Sequence, residues 1–106
     1  MTTELEIYVG SKVLIKGEWH QPTDATAIPT KDDPLADPST LAFRLYLPDG
    51  SIINYTYGTD GQLVRESQGK YHVNYVIVQQ GQHRYAWLPT GNAAQPISGE
   101  FYAHPI

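Results

Sequence analysis

Short runs in which apolar and polar residues alternate, each closed by Gly, Asp or Pro, recur along this 106-residue chain and confine it to an all-β fold. A period of two sends successive side chains to opposite faces of a strand, so each run offers one face to a core and the other to solvent. The clearest run is Thr40 to Leu47, with Leu41, Phe43, Leu45 and Leu47 on one face and Ala42, Arg44 and Tyr46 on the other. Pro48-Asp49-Gly50 follows with a fixed φ, a side-chain acceptor and a residue tolerant of positive φ. That sequence predicts a tight reversal into an antiparallel partner at Ser51 to Tyr57, with Ile53, Tyr55 and Tyr57 sharing a face.

The same reading extends to both sides. Leu5 to Val9 is a short apolar stretch, and Lys12 to Trp19 places Val13, Ile15 and Trp19 on one face with Gly17 between them. A glycine there marks a bulge or leaves room for a neighbouring ring such as Trp19 or Trp87. After Gly58-Thr59-Asp60-Gly61 comes a strand at Gln62 to Glu66, and Ser67-Gln68-Gly69 turns the chain again. Tyr71 to Gln79 and Gln82 to Leu88, separated by Gln80-Gly81, read as a core hairpin carrying Tyr71, Val73, Tyr75 and Ile77 against His83, Tyr85 and Trp87. A loop with Pro89, Gly91, Asn92 and Pro96 leads to a final strand from Ile97 to Ala103. Turn signals this closely spaced predict an antiparallel β-sandwich of about seven strands, a single domain over residues 1–106.

One segment breaks the pattern. His20 to Pro38 is rich in Pro, Thr, Asp and Ala, and Pro22, Pro29, Pro34 and Pro38 remove backbone donors, so it reads as a long loop. Loops of this length in small domains are commonly functional, which makes it the first candidate contact surface. Tyrosine is the second: the chain has 8 Tyr against 2 Phe and 2 Trp, a bias toward rings that suit sheet faces and interfaces.

Composition excludes several classes of function. A net charge of -4 with seven scattered Lys and Arg argues against nucleic acid as a partner. There is no Cys, hence no disulfide framework and no thiolate metal site. Met1 to Leu5 lacks the basic start and apolar core of a signal peptide, and no apolar run reaches bilayer length, so the expectation is a soluble chain made in the cytoplasm, with no membrane partner. His20, His72, His83 and His104 are far apart with no His-x-x-x-His pair, which reads as unrelated strand and surface histidines rather than a metal site. Asp24, Asp32, Asp33 and Asp37 lack calcium-loop spacing and read as a solvated acidic loop. No serine lies in a Gly-x-Ser-x-Gly elbow, and no pair of acids predicts a glycosidase cleft. The expectation is a protein with no enzymatic activity, no cofactor and no metal.

The ordered string Pro48-Asp49-Gly50, Tyr57-Gly58, Val64-Arg65, Gly69-Lys70-Tyr71-His72-Val73, Gly81, Arg84-Tyr85-Ala86-Trp87 and Gly99-Glu100-Phe101 resembles small immunoglobulin-like proteins among the virion proteins of tailed bacteriophages. The resemblance covers residues 7 to 104. Gly69-x-Tyr71 also looks like the tyrosine corner of immunoglobulin-type domains, without their Cys pair. What the resemblance implies is an immunoglobulin-like sandwich serving as an accessory structural protein of a virion, on head, neck or tail. Its partners would be capsid, neck or tail proteins, and it would be present in multiple copies after synthesis in the host cytoplasm. Candidate contact residues are Thr23, Asp24, Ile28, Asp32, Asp33 and Leu35 in the loop, and Tyr46, Tyr55 and Tyr57 on the strands. The alternative is a carbohydrate-binding or host-adhesion module that binds surface glycans through exposed aromatic rings, for which Trp19, Trp87 and the tyrosines, Tyr102 included, are the candidates.

Overall fold

The computed structural model describes residues 7–21, 33–91 and 95–105. Among the described residues eight strands run in the order β1 (Ile7–Tyr8), β2 (Lys12–Glu18), β3 (Thr40–Tyr46), β4 (Ile52–Thr56), β5 (Leu63–Ser67), β6 (Lys70–Val76), β7 (Gly81–Thr90) and β8 (Ile97–His104). They form a five-stranded sheet, ordered β1-β8-β7-β3-β4, and a three-stranded sheet, ordered β2-β6-β5. The two pack face to face as an all-β sandwich.

The alternation read from the sequence decides which residues meet in the core. From the larger sheet come Leu41, Phe43 and Leu45 of β3, Trp87 of β7 and Ala103 of β8, and from the smaller sheet Ile15, Leu63, Tyr71, Val73 and Tyr75, all buried. Trp19, just after β2, and Trp87 of β7 stand edge to face between the sheets, with centroids 5.3 Å apart. Phe43 meets Trp87 in the same geometry at 4.8 Å. Gly17 makes this possible: a Cβ there would lie 2.6 Å from the Trp19 ring and 3.0 Å from the Trp87 ring. The room-for-a-ring reading of Gly17 is therefore correct for both indoles.

The Pro48-Asp49-Gly50 turn also forms as read. β3 and β4 pair antiparallel, Gly50 has φ of 92°, and the Asp49 carboxylate accepts from the Ser51 amide at 2.8 Å. That hydrogen bond holds the Asp49 carboxyl below the usual carboxylate range.

Three expectations need correction. Tyr71–Gln79 and Gln82–Leu88 do not form a hairpin, because β6 pairs with β2 and β5 whereas β7 pairs with β3 and β8. The chain crosses between the sheets from Ile77 to Gln80, so the two apolar faces oppose each other across the core instead of lying side by side. The sandwich is not wholly antiparallel, since β1 pairs parallel with β8 through Ile7↔Ala103 and Tyr8↔His104. Of the stretch Leu5 to Val9, residues 5 and 6 lie outside the described residues. Finally, Pro89 lies in β7 and not in a loop. It pairs with Leu41 beyond Trp87↔Ile97, where β8 no longer flanks β7 and a missing amide leaves no acceptor unfilled.

His83, read as an ordinary strand or surface histidine, is fully buried. It stacks on Phe101 at 4.7 Å, and its Nδ1 lies 3.0 Å from the Gly81 carbonyl.

Candidate protein-binding face

The outward halves of the alternating patterns give the two sheets contrasting surfaces. On the three-stranded sheet the outer side chains combine Lys, Glu and His, which pair with one another, and two exposed aliphatic residues, Leu14 and Val76. Lys16 lies 4.0 Å from Glu66, Lys70 3.8 Å from Glu18, and His72 Nδ1 3.0 Å from Glu66. Such pairs are solvated, worth little individually, and leave few charges for a partner.

The outer face of the five-stranded sheet is aromatic. Registers place Glu100, Arg84, Tyr46 and Ile52 in one row across β8, β7, β3 and β4, and Ser98, Ala86, Arg44 and Asn54 in the next. Ile52 and Tyr102 are each 52% exposed, Tyr8 41% and Leu88 37%, large apolar areas for one face of a small domain. Tyr8 and Tyr102 flank His104, at 5.7 and 5.0 Å between centroids. The Arg84 guanidinium lies over the Tyr46 ring at 5.5 Å, and Arg44 Nε donates to Asn54 at 3.0 Å. Between Arg84 and Glu100 the surface dips over Ala86, Ser98 and Gly99, forming an open depression of about 540 Å³. Exposed Tyr and Arg beside apolar side chains is the composition of protein-binding hot spots.

The predicted contact residues divide accordingly. Tyr46 belongs to this face. Tyr55 does not: it opposes Phe43, stacks on it at 6.4 Å on the core side, and is desolvated enough to raise its hydroxyl pKa. Tyr57 lies past the end of β4 and packs edge to face on Tyr71 at 5.3 Å, so the three tyrosines do not form one platform. Thr23, Asp24, Ile28 and Asp32 lie outside the described residues. Arg84, Glu100, Ile52 and Leu88 were not singled out from the sequence. Alternation assigned Arg84 to the side away from the core, but nothing in it identified β8 and β3 as neighbours of β7.

Asp33 and Leu35 sit at a clamp that closes the base of the proline-rich segment. His20 bridges to Leu35, and the Gln21 amide donates to the Pro34 carbonyl at 2.9 Å. The His20 ring lies between two acceptors, the Asp33 carbonyl 2.7 Å from Nδ1 and the Glu18 carboxylate 2.8 Å from Nε2. Only the imidazolium donates from both nitrogens, so the Asp33 carbonyl first and Glu18 second raise the His20 pKa. Lys70, which pairs with Glu18, is the opposing charge nearby. A raised folded-state pKa means that the clamp contributes fully below the unfolded value near 6.5 and is lost as pH rises through the folded one. Thermal melts from acidic to alkaline pH are expected to show about 1 kcal/mol lost on that alkaline limb. His20→Gln is expected to flatten it, and an unchanged limb in that variant would remove the clamp.

The far end of the same segment is held by Asp37. One carboxylate oxygen accepts from the Gly69 amide at 2.8 Å, the Tyr71 hydroxyl at 2.9 Å and Arg65 Nε at 3.2 Å, and the other accepts from Arg65 Nη2 at 2.9 Å. Arg65 first, then the Gly69 amide, lowers the Asp37 pKa to about 2. Burial and the neighbouring carboxylate push Tyr71 up to about 12. Tyr71 is therefore not a tyrosine corner, since its hydroxyl is taken by a side chain 34 residues upstream and not by nearby backbone.

Among the described residues, no group of three or more His, Cys, Asp or Glu side chains is placed to hold a metal ion. No protein family, curated protein or solved structure matches the chain.

Proposed function

We propose that this chain is a non-enzymatic, immunoglobulin-like accessory structural protein of a tailed-phage virion that works by binding other proteins. The observation carrying the binding role is the outer face of the five-stranded sheet, where Tyr46, Arg84, Ile52, Leu88 and Tyr102 are presented together on rigid strands.

Strand order supports the immunoglobulin-like part. β2-β6-β5 facing β8-β7-β3-β4 corresponds to strands B-E-D facing G-F-C-C′ of immunoglobulin domains. In antibody domains a disulfide joins strands B and F across the core beside a buried Trp on strand C. Here Gly17 and Trp19 of the β2 region meet Trp87 of β7, and Phe43 of β3 packs beside them. Ring packing stands in for the cross-link, which suits a chain without cysteine. The virion assignment rests on the ordered string of sequence motifs that includes Pro48-Asp49-Gly50 and Arg84-Tyr85-Ala86-Trp87. Repeated copies on a symmetric particle need only modest affinity per contact, because adjacent attachments raise the effective concentration.

Co-sedimentation of the purified protein with tailed-phage particles assembled without it tests the reading. Stoichiometric binding is expected. A chain that ignores such particles but binds glycans, and loses that binding in Tyr46→Ala or Tyr102→Ala, would be an adhesion module instead.

A further inference from the structure

The aromatic face carries two opposite charges that do not use each other. Arg84 and Glu100 stand directly across from one another in the β7–β8 register, yet the guanidinium rests on the Tyr46 ring. Among the described residues neither has an ion-pair partner. We infer that the partner seated on this face is a second copy of the same chain, related by a two-fold axis that brings Arg84 of each copy to Glu100 of the other. The inference rests on the protein-binding reading of the face and names its occupant.

Symmetry is the first argument. A two-fold interface must be complementary to itself, so that if residue i of one copy meets residue j of the other, j also meets i. An adjacent, unspent cation and anion is the smallest arrangement that meets this condition, and each pair made across the axis is made twice. Charge distribution is the second argument. Two copies of a chain of net charge -4 repel unless they meet where acids are sparse. Glu18 and Glu66 lie on the other sheet and Asp37 is anchored at the Gly69 turn, whereas this face holds Arg44 and Arg84 against Glu100.

Size agrees. Five strands at about 4.8 Å spacing, averaging about six residues at about 3.3 Å rise, give a plan area of about 500 Å². With side-chain relief, that is the scale of the ~800 Å² each partner buries in a standard interface. Ile52, Leu88, Tyr8 and Tyr102, exposed in the single chain, supply apolar area around the charged centre. The depression over Ala86 and Ser98 gives space for side chains of the facing copy.

Sedimentation equilibrium over a wide concentration range, on the whole chain, tests the inference. The wild type is expected to self-associate more weakly as salt is raised. Arg84→Glu and Glu100→Arg are each expected to weaken the dimer about tenfold or more, and the double reversal to recover most of the loss. Circular dichroism of each variant confirms that the sandwich is intact. No recovery in the double reversal would overturn the proposed pairing. A wild type that stays monomeric at millimolar concentration yet co-sediments with particles would overturn the second copy and leave the particle-binding reading standing. A dimer with the charge-reversal signature but no particle binding would support the second copy and remove the virion assignment.

Discussion

Trp87→Ala is expected to lower the unfolding free energy by about 3–5 kcal/mol, the cost of emptying a large aromatic site in a packed core. Against a typical domain stability of about 5–15 kcal/mol, that leaves a marginal protein. Trp87 has no exposed surface, touches the rings of Phe43 on β3 and Trp19 after β2, and fills the notch left by Gly17. β7 and β3 are each fixed by ladders on both sides, so the cavity has little means of collapse from the larger sheet. Trp87→Phe should cost much less, because it retains an apolar ring and removes an indole N–H that has no hydrogen-bond partner among the described residues. Urea unfolding of both variants measures the difference. A Trp87→Ala loss under about 1 kcal/mol would show that this ring cluster does not join the two sheets.

Asp37→Asn is the second large effect, expected to cost about 1–3 kcal/mol because donor groups of three residues, Arg65, Gly69 and Tyr71, lose a charged acceptor at once. The pH dependence carries its own sign. The Asp37 pKa falls from 3.8 unfolded to about 2 folded, so its contribution is complete above the unfolded value and disappears as pH falls through the folded one. With the side chain 37% exposed, solvent screening reduces the nominal linkage to roughly 1 kcal/mol. Acid unfolding of the wild type between about pH 4 and pH 2 should contain that loss, and Asp37→Asn should lack it. Identical acid limbs would mean that the carboxylate is not held as described. Because Asp37 closes one end of the proline-rich segment, the variant should also speed hydrogen exchange at the Gly69 amide.

How much of this was legible in the sequence varies with the range of the interaction. Local features were read correctly: the alternation of β3, the Pro48-Asp49-Gly50 reversal, and the glycine notch beside the indoles all depend on residues close in sequence or on side-chain volume. Partnership between strands was not legible. Tyr71–Gln79 and Gln82–Leu88 each show a buried face, but a short Gln-Gly connection fits either a hairpin or a step between sheets, and only the assembled core selects the second. The binding face shows the same gap. Tyr46, Arg84 and Glu100 come from three strands, and their meeting depends on the β8-β7-β3 order, which no single strand encodes. The Asp37 anchor joins residues up to 34 positions apart, and its carboxylate looked like one of several in an acidic loop.

The edge-to-face indoles also give the molecule an optical signature of its own state. Trp19 and Trp87 arise from opposite sheets, 5.3 Å apart with planes at 75°, and they are the only tryptophans in the chain. Their electronic transitions couple at that separation into a paired positive and negative circular dichroism band. The coupling depends on both the distance and the angle between the rings, so releasing the indoles from their fixed packing would remove the band while the backbone signal of the strands persisted. Loss of intersheet packing and loss of secondary structure can thus be followed as separate spectroscopic events in the unmodified protein.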